Sequence, residues 1–134
     1  MSRKVKILAI DREEIILKSI RKALAGTNEL QYDITTCNTA IESLKIIRAD
    51  TFDLVLIDLV LPGMNGVEVI RRIKNINPSL SVIIMTGFST NKINSDADSE
   101  ENPLSEILKN ATGILFKPFT TQEIQNMISK VIDN

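Results

Sequence analysis

Asp53-Leu-Val-Leu-Ile-Asp58-Leu-Val-Leu-Pro62-Gly63-Met-Asn65-Gly66 is the stretch on which the fold turns. Leu54 to Ile57 show no polar alternation, so both faces of this strand are expected to be buried, as in a parallel sheet covered by helices. The acidic Asp58 stands where the apolar run stops and a tight turn begins. Open α/β sheets place their sites at such carboxyl ends of strands, which makes Asp58 the first candidate for a chemical centre.

Working outward, four further β-type runs alternate with helical ones: Lys4 to Ile10, Gln31 to Cys37, Leu80 to Thr86 and Gly113 to Phe116. Alternation of this kind argues for βαβ units and an α/β doubly wound parallel sheet. A first helix is expected from about Glu13 to Ala25, carrying Ile16, Ile20, Ala23 and Leu24 at helical spacing and stopping at Gly26. The second, from about Thr39 to Ala49, presents Ile41, Leu44 and Ile47. The third starts near Asn65 and carries Val67, Ile70 and Ile73 to a stop at Pro78. Thr120-Thr-Gln-Glu123 is a capping-box pattern, and it opens a last helix that buries Ile124, Met127, Ile128 and Val131. Between the fourth strand and a short helix beginning at Pro103, residues 91–102 form a polar insertion. Asp96, Asp98 and Glu100 there have the spacing of a calcium loop but lack its central glycine and distal glutamate, so a solvated acidic loop is expected.

Composition limits the chemistry. With 134 residues, 43% hydrophobic and 25% charged, the chain is expected to form one domain over residues 1–134. A formal net charge of -1 gives no basic footprint, so direct nucleic-acid binding is not expected. No apolar stretch approaches the length of a membrane span, and a cytoplasmic setting is the default expectation. There is no histidine, which removes Ser-His-Asp and Cys-His catalysis and imidazole metal ligands together. The single Cys37 closes the second strand and reads as a buried structural thiol.

Parallel strands joined by right-handed crossovers send every carboxyl end to one edge of the sheet. Asp11, Asp58, Thr86 and Lys117 each follow an apolar run and so belong there. Singly, each also reads as a helix cap or a strand-end side chain reaching for solvent. Two acids, a hydroxyl and an amine together point to a site. A carboxylate can attack phosphorus and become an acyl phosphate if the converging negative charge is neutralised. Lys117 offers a point charge and Thr86 a donor. Two carboxylates about 4 Å apart repel by about 4 kcal/mol at an effective dielectric near 20, so a cation between Asp11 and Asp58 is expected, usually Mg²⁺.

These residues resemble a known family, the receiver domains of two-component response regulators (the CheY-like superfamily). The resemblance rests on Asp11 after the first strand, Asp58-Leu-Val-Leu-Pro-Gly-Met-Asn-Gly after the third, Thr86-Gly87 after the fourth and Lys117-Pro118-Phe119 after the fifth. It implies a flavodoxin-like (βα)5 fold with strand order 2-1-3-4-5 and a cis peptide before Pro118. It implies that Asp58 accepts a phosphoryl group from a sensor histidine kinase. Asp11, Asp58 and the Val60 carbonyl would bind Mg²⁺, and Thr86, Gly87 and Lys117 would bind the phosphoryl group. The fourth helix, fifth strand and last helix would carry the signal to an output domain or downstream protein, and could serve a homodimer. Such a domain assists its own phosphotransfer and is not a turnover enzyme.

Two positions depart from that pattern. The family usually has a second acid where this chain has Arg12, within Asp11-Arg12-Glu13-Glu14. Either Arg12 replaces acid and metal together, pairing with Asp58 and serving as a further phosphate ligand, or it faces solvent while Glu13 or water completes a weakened metal site. Ile114 stands where the family often has a switching aromatic; Phe116, read as core, and Phe88 are the nearby rings. Besides a phosphorylation-controlled module, the sequence admits a phosphate-independent interaction domain in which Arg12 locks Asp58. An aspartate-nucleophile hydrolase is excluded by Leu59 and Val60, which leave no acid two residues beyond Asp58.

Overall fold

Leu54, Val55, Leu56 and Ile57 are wholly inaccessible to solvent, because helices cover both faces of the strand that carries them. In the computed structural model, which describes residues 3–25, 30–87, 109 and 111–132, five strands form one parallel sheet: β1 (Arg3–Ile10), β2 (Leu30–Cys37), β3 (Leu54–Asp58), β4 (Ser81–Thr86) and β5 (Gly113–Phe116). Their order is β2-β1-β3-β4-β5, as the resemblance implies. Four helices are described: α1 (Glu14–Leu24), α2 (Ala40–Ala49), α3 (Gly66–Ile76) and α4 (Thr121–Ile132). Gly26, Phe88, the polar insertion at 91–102 and the helix expected from Pro103 lie outside the described residues.

Strand side chains alternate between two cores. Leu8, Ile10, Val55, Ile57, Val82 and Ile84 face α2 and α3, where Leu44, Ile47, Ile70 and Ile73 meet them. Val5, Ile7, Leu54, Leu56, Ile83 and Met85 face α1 and α4, against Leu17, Ile20, Ile124 and Ile128. Three of the four described helices start at a side-chain cap, while α1 starts after Glu13 without one. Thr39 Oγ1 accepts the N–H of Glu42 at 3.2 Å and Asn65 Oδ1 that of Glu68 at 2.9 Å. Before α4 the expected capping box is complete: Thr120 Oγ1 accepts the Glu123 N–H, and Glu123 Oε1 accepts the Thr120 N–H, both at 3.0 Å.

Several expectations need correction. The buried stripe of α2 runs through Ala40, Ser43, Leu44 and Ile47, turning Ile41 out to 59% exposure. Leu17, rather than Ile16, is the deep residue in the second turn of α1, and Ile16 packs at the margin. Phe116 is only half-buried, because β5 ends the described sheet and has a neighbouring strand on one side alone. Cys37 is buried as expected; loss of hydration, with the Glu42 charge nearby, pushes its thiol up to about 12. Among the described residues no helix is long and apolar enough to cross a membrane.

Candidate functional site

Register decides which side chains meet. Ile10 pairs with Ile57, so the next residues along those strands, Asp11 and Asp58, stand side by side at the carboxyl edge. Asp58 is opposite Met85 and Thr86 opposite Phe116, which brings the ends of β4 and β5 into the same place. The N–H of Lys117 donates to the Thr86 carbonyl at 2.8 Å, and a cis Lys117–Pro118 peptide follows.

Asp11, Asp58 and Thr86 are buried, at 0%, 5% and 2% exposure. The Lys117 ammonium lies between the two acids, with Nζ 2.6 Å from Asp11 Oδ2 and 3.3 Å from Asp58 Oδ2. Each carboxylate also turns one oxygen back onto its own loop. Asp11 Oδ1 accepts the Glu13 N–H at 2.8 Å, and Asp58 Oδ1 accepts the Val60 N–H at 3.2 Å. The sequence reading put Lys117 at this edge as a point charge, and the structure brings its ammonium within reach of both aspartates. Its position in the apolar-run-then-polar pattern was legible, but its bridging role depends on two crossovers that no local pattern encodes.

Asp11 Oδ2 is buried and has the Lys117 ammonium as its close partner, at 2.6 Å. Burial pushes the Asp11 carboxyl above its ordinary 3.8, outweighing the opposite pull of Lys117 and the Glu13 N–H; the Asp58 charge acts in the same sense as burial. Two neighbouring buried carboxylates, whose charges oppose each other, suit a hard cation. Among the described residues no group of three acidic, thiol or imidazole side chains gathers for a metal. A two-carboxylate set still fits Mg²⁺, which commonly takes one or two carboxylates and keeps several waters.

Arg12 is exposed and, among the described residues, makes no ion pair with Asp58; of the two readings the sequence left open, the solvent-facing one holds, and Lys117 is the cation beside Asp58. The reason is local. Folding Asp11 Oδ1 onto the N–H of residue 13 buries residue 11 and leaves residue 12 outside. Glu13 is likewise exposed, and Val60 is 46% exposed in the loop after β3. Gly87 follows β4 at the surface, with open space where a Cβ would stand. Ile114 lies at the margin of the α2/α3 core.

Comparison with known proteins agrees with this fold. The sequence model described as "Response regulator receiver domain" matches residues 7–129. The chain is 27% identical over 122 residues to the response regulator receiver protein CpdR of Brucella abortus, covering 91% of this chain and 88% of that one. It is 30% identical over 105 residues to sporulation initiation phosphotransferase F of Bacillus subtilis, covering 78% and 77%. A crystal structure of a response regulator receiver domain protein from Clostridium thermocellum superposes with a TM-score of 0.76 at 28% identity, over 96% of this chain and 94% of that one. The chain also matches longer transcriptional regulatory proteins, of which it spans 26%.

Proposed function

The chain belongs to the response regulator receiver family of two-component systems, and on that footing we propose that Asp58 is its phosphoacceptor, taking a phosphoryl group from the phosphohistidine of a sensor kinase. Receivers are signalling modules rather than classical enzymes, and the family generally binds Mg²⁺. The observation that carries the reading is the Lys117 ammonium held within 3.3 Å of a carboxylate that is itself at the open edge of the sheet.

In the reaction an Asp58 Oδ atom attacks phosphorus, the P–N bond of the donor imidazole breaks, and the freed imidazole nitrogen keeps the electron pair and takes up a proton. Lys117 offsets the charge that accumulates as the carboxylate and phosphoryl group converge. Thr86, at the end of the neighbouring strand, supplies a hydroxyl to a phosphoryl oxygen, and the Gly87 backbone lies beside it without a side chain in the way. The Val60 N–H steadies one Asp58 oxygen, leaving the other to react. Asp11, Asp58 and the Val60 carbonyl would hold Mg²⁺, which supplies positive charge for the phosphoryl oxygens. Arg12, exposed and next to Asp11, is a further cation for the incoming anion.

Engagement of Thr86 and Lys117 by the phosphoryl group then changes the face around β5 and α4, which meets an output domain, a downstream protein or a second copy of the chain. Residues 1–134 act as one receiver unit, without nucleic-acid contacts of their own. Incubation with acetyl phosphate and Mg²⁺, followed by intact mass, tests the proposal. Wild type is expected to gain one phosphoryl group and Asp58→Asn none; equal uptake by both, or none by either, would overturn it.

A further inference from the structure

The first residue of α3, Gly66, is packed against the main chain that carries the phosphoacceptor. Its N–H donates to the Leu59 carbonyl at 2.8 Å, which satisfies a helix-terminal donor that has no partner inside the helix. A Cβ built on Gly66 would lie 2.6 Å from Leu59 Cα, 2.8 Å from the Asp58 carbonyl oxygen and 2.9 Å from the Leu59 carbonyl oxygen. All three are backbone atoms, so no side chain can rotate away to admit it. Gly66 does not have positive φ; among the described residues Gly63 alone does, at 85°. The requirement for glycine at 66 is therefore space rather than backbone freedom.

The other glycines sharpen the point. A Cβ on Gly63 or Gly87 would meet nothing within 4 Å, and one on Gly113 would meet Met127 Sδ at 2.6 Å, the far part of a flexible side chain. Among the described glycines, only at Gly66 does the contact fall on Asp58 and Leu59 themselves. The segment from 58 to 60 holds Asp58 Oδ1 through the Val60 N–H. Wherever the amino end of α3 sits, that segment must follow.

We infer that Gly66 is a positioning residue for Asp58, whose missing side chain lets α3 clamp the phosphoacceptor's backbone. The inference rests on the reading of Asp58 as phosphoacceptor, but the displacement it requires can be read without phosphorylation. The experiment compares Gly66→Ala with Gly113→Ala by amide shifts, melting and phosphorylation kinetics over a range of acetyl phosphate concentrations. Gly66→Ala is expected to shift the amides of residues 58–60 and to lower the maximal rate about tenfold or more, while Gly113→Ala stays near wild type.

Unchanged 58–60 amides, or a Gly66→Ala rate equal to that of Gly113→Ala, would overturn the inference. Displaced amides in a protein whose wild type takes up no phosphoryl group would sustain the clamp and refute the Asp58 reading instead. If Gly66→Ala does not fold, two helix caps decide. Asn65→Ala removes the cap of α3 and Thr39→Ala the equivalent cap of α2. Asn65→Ala is expected to slow phosphorylation severalfold and Thr39→Ala to leave it unchanged; equal rates in the two would overturn the clamp.

Discussion

A lysine meets two aspartates at each end of this sheet, and the two clusters behave in opposite ways. At the amino end, Lys6 Nζ lies 2.7 Å from Asp50 Oδ2, the Lys6 backbone N–H donates to Asp53 Oδ2 at 2.9 Å, and the ammonium stands 5.4 Å from the Phe52 ring centroid. At the carboxyl end, Lys117 lies 2.6 Å from Asp11 and 3.3 Å from Asp58. The shortest contacts are nearly equal, yet Lys6 draws the Asp50 carboxyl below its ordinary range while burial holds Asp11 above it. Exposure separates them: the paired side chains are 32% and 53% exposed at the amino end, against 15%, 0% and 7% at the other. Water screens the first cluster and leaves it a surface ion pair. The second is shielded from water, so its charges interact more strongly with one another.

The difference is most exposed to test in the lysines. Lys117→Met leaves two buried carboxylates without their counter-charge and is expected to cost about 3 kcal/mol in urea unfolding at neutral pH. It is also expected to abolish phosphoryl uptake, read by intact mass. A loss no larger than that of an exposed pair would break the comparison, since Lys117 would then contribute nothing that burial amplifies.

Titration should separate the acids next. Carboxyl NMR in the presence of a chelator is expected to show Asp50 titrating below 3.8 and Asp11 above it. The two then drive stability in opposite directions. Asp50, with its folded value depressed, stabilises the fold above 3.8, and that contribution is lost as pH falls through its folded value. Asp11, with its folded value raised, favours the fold fully only below 3.8, and that contribution is lost as pH rises through its folded value. Titration of both on the same side of 3.8 would remove the contrast. The smallest effect is expected from Lys6→Met, which keeps the aliphatic stem against Phe52 and should move the urea midpoint only slightly, by an amount that high salt removes.

The sheet was legible because its inner strands carry uninterrupted apolar runs. Ile-Leu-Ala-Ile, Leu-Val-Leu-Ile and Val-Ile-Ile-Met each end in a polar residue, and parallel topology sends those residues to one edge. The strand order came from family resemblance, since periodicity does not say which strands are neighbours. Helix faces were read to within one residue, and the error in α2, where Ile41 points outward and Ala40 inward, is the uncertainty of rotating a short apolar stripe about its axis.

Away from that carboxyl edge, contacts between distant segments were not legible. Lys6 sits in a strand that alternates Lys4-Val5-Lys6-Ile7, a sign of a partly exposed end, but Asp50 is 44 residues away and nothing local selects it. Gly66 entered the sequence reading only as part of the motif after Asp58, and nothing local shows that it is space rather than conformation that requires a glycine there. The fate of Arg12 was undecided in sequence because a side chain after a strand can turn either way. The bond from the Glu13 N–H to Asp11 decides it.

The most direct test asks which aspartate carries the phosphoryl group, since lysine-paired aspartates stand at both ends of the sheet. After incubation with acetyl phosphate and Mg²⁺, borohydride reduces an acyl phosphate to an alcohol, and peptide mass then locates the altered residue. The expected result is modification of residue 58 alone, with Asp50, Asp53 and Asp11 intact. Modification at the amino-end aspartates, or none at residue 58, would contradict the claim that burial at the carboxyl edge makes Asp58 the phosphoacceptor.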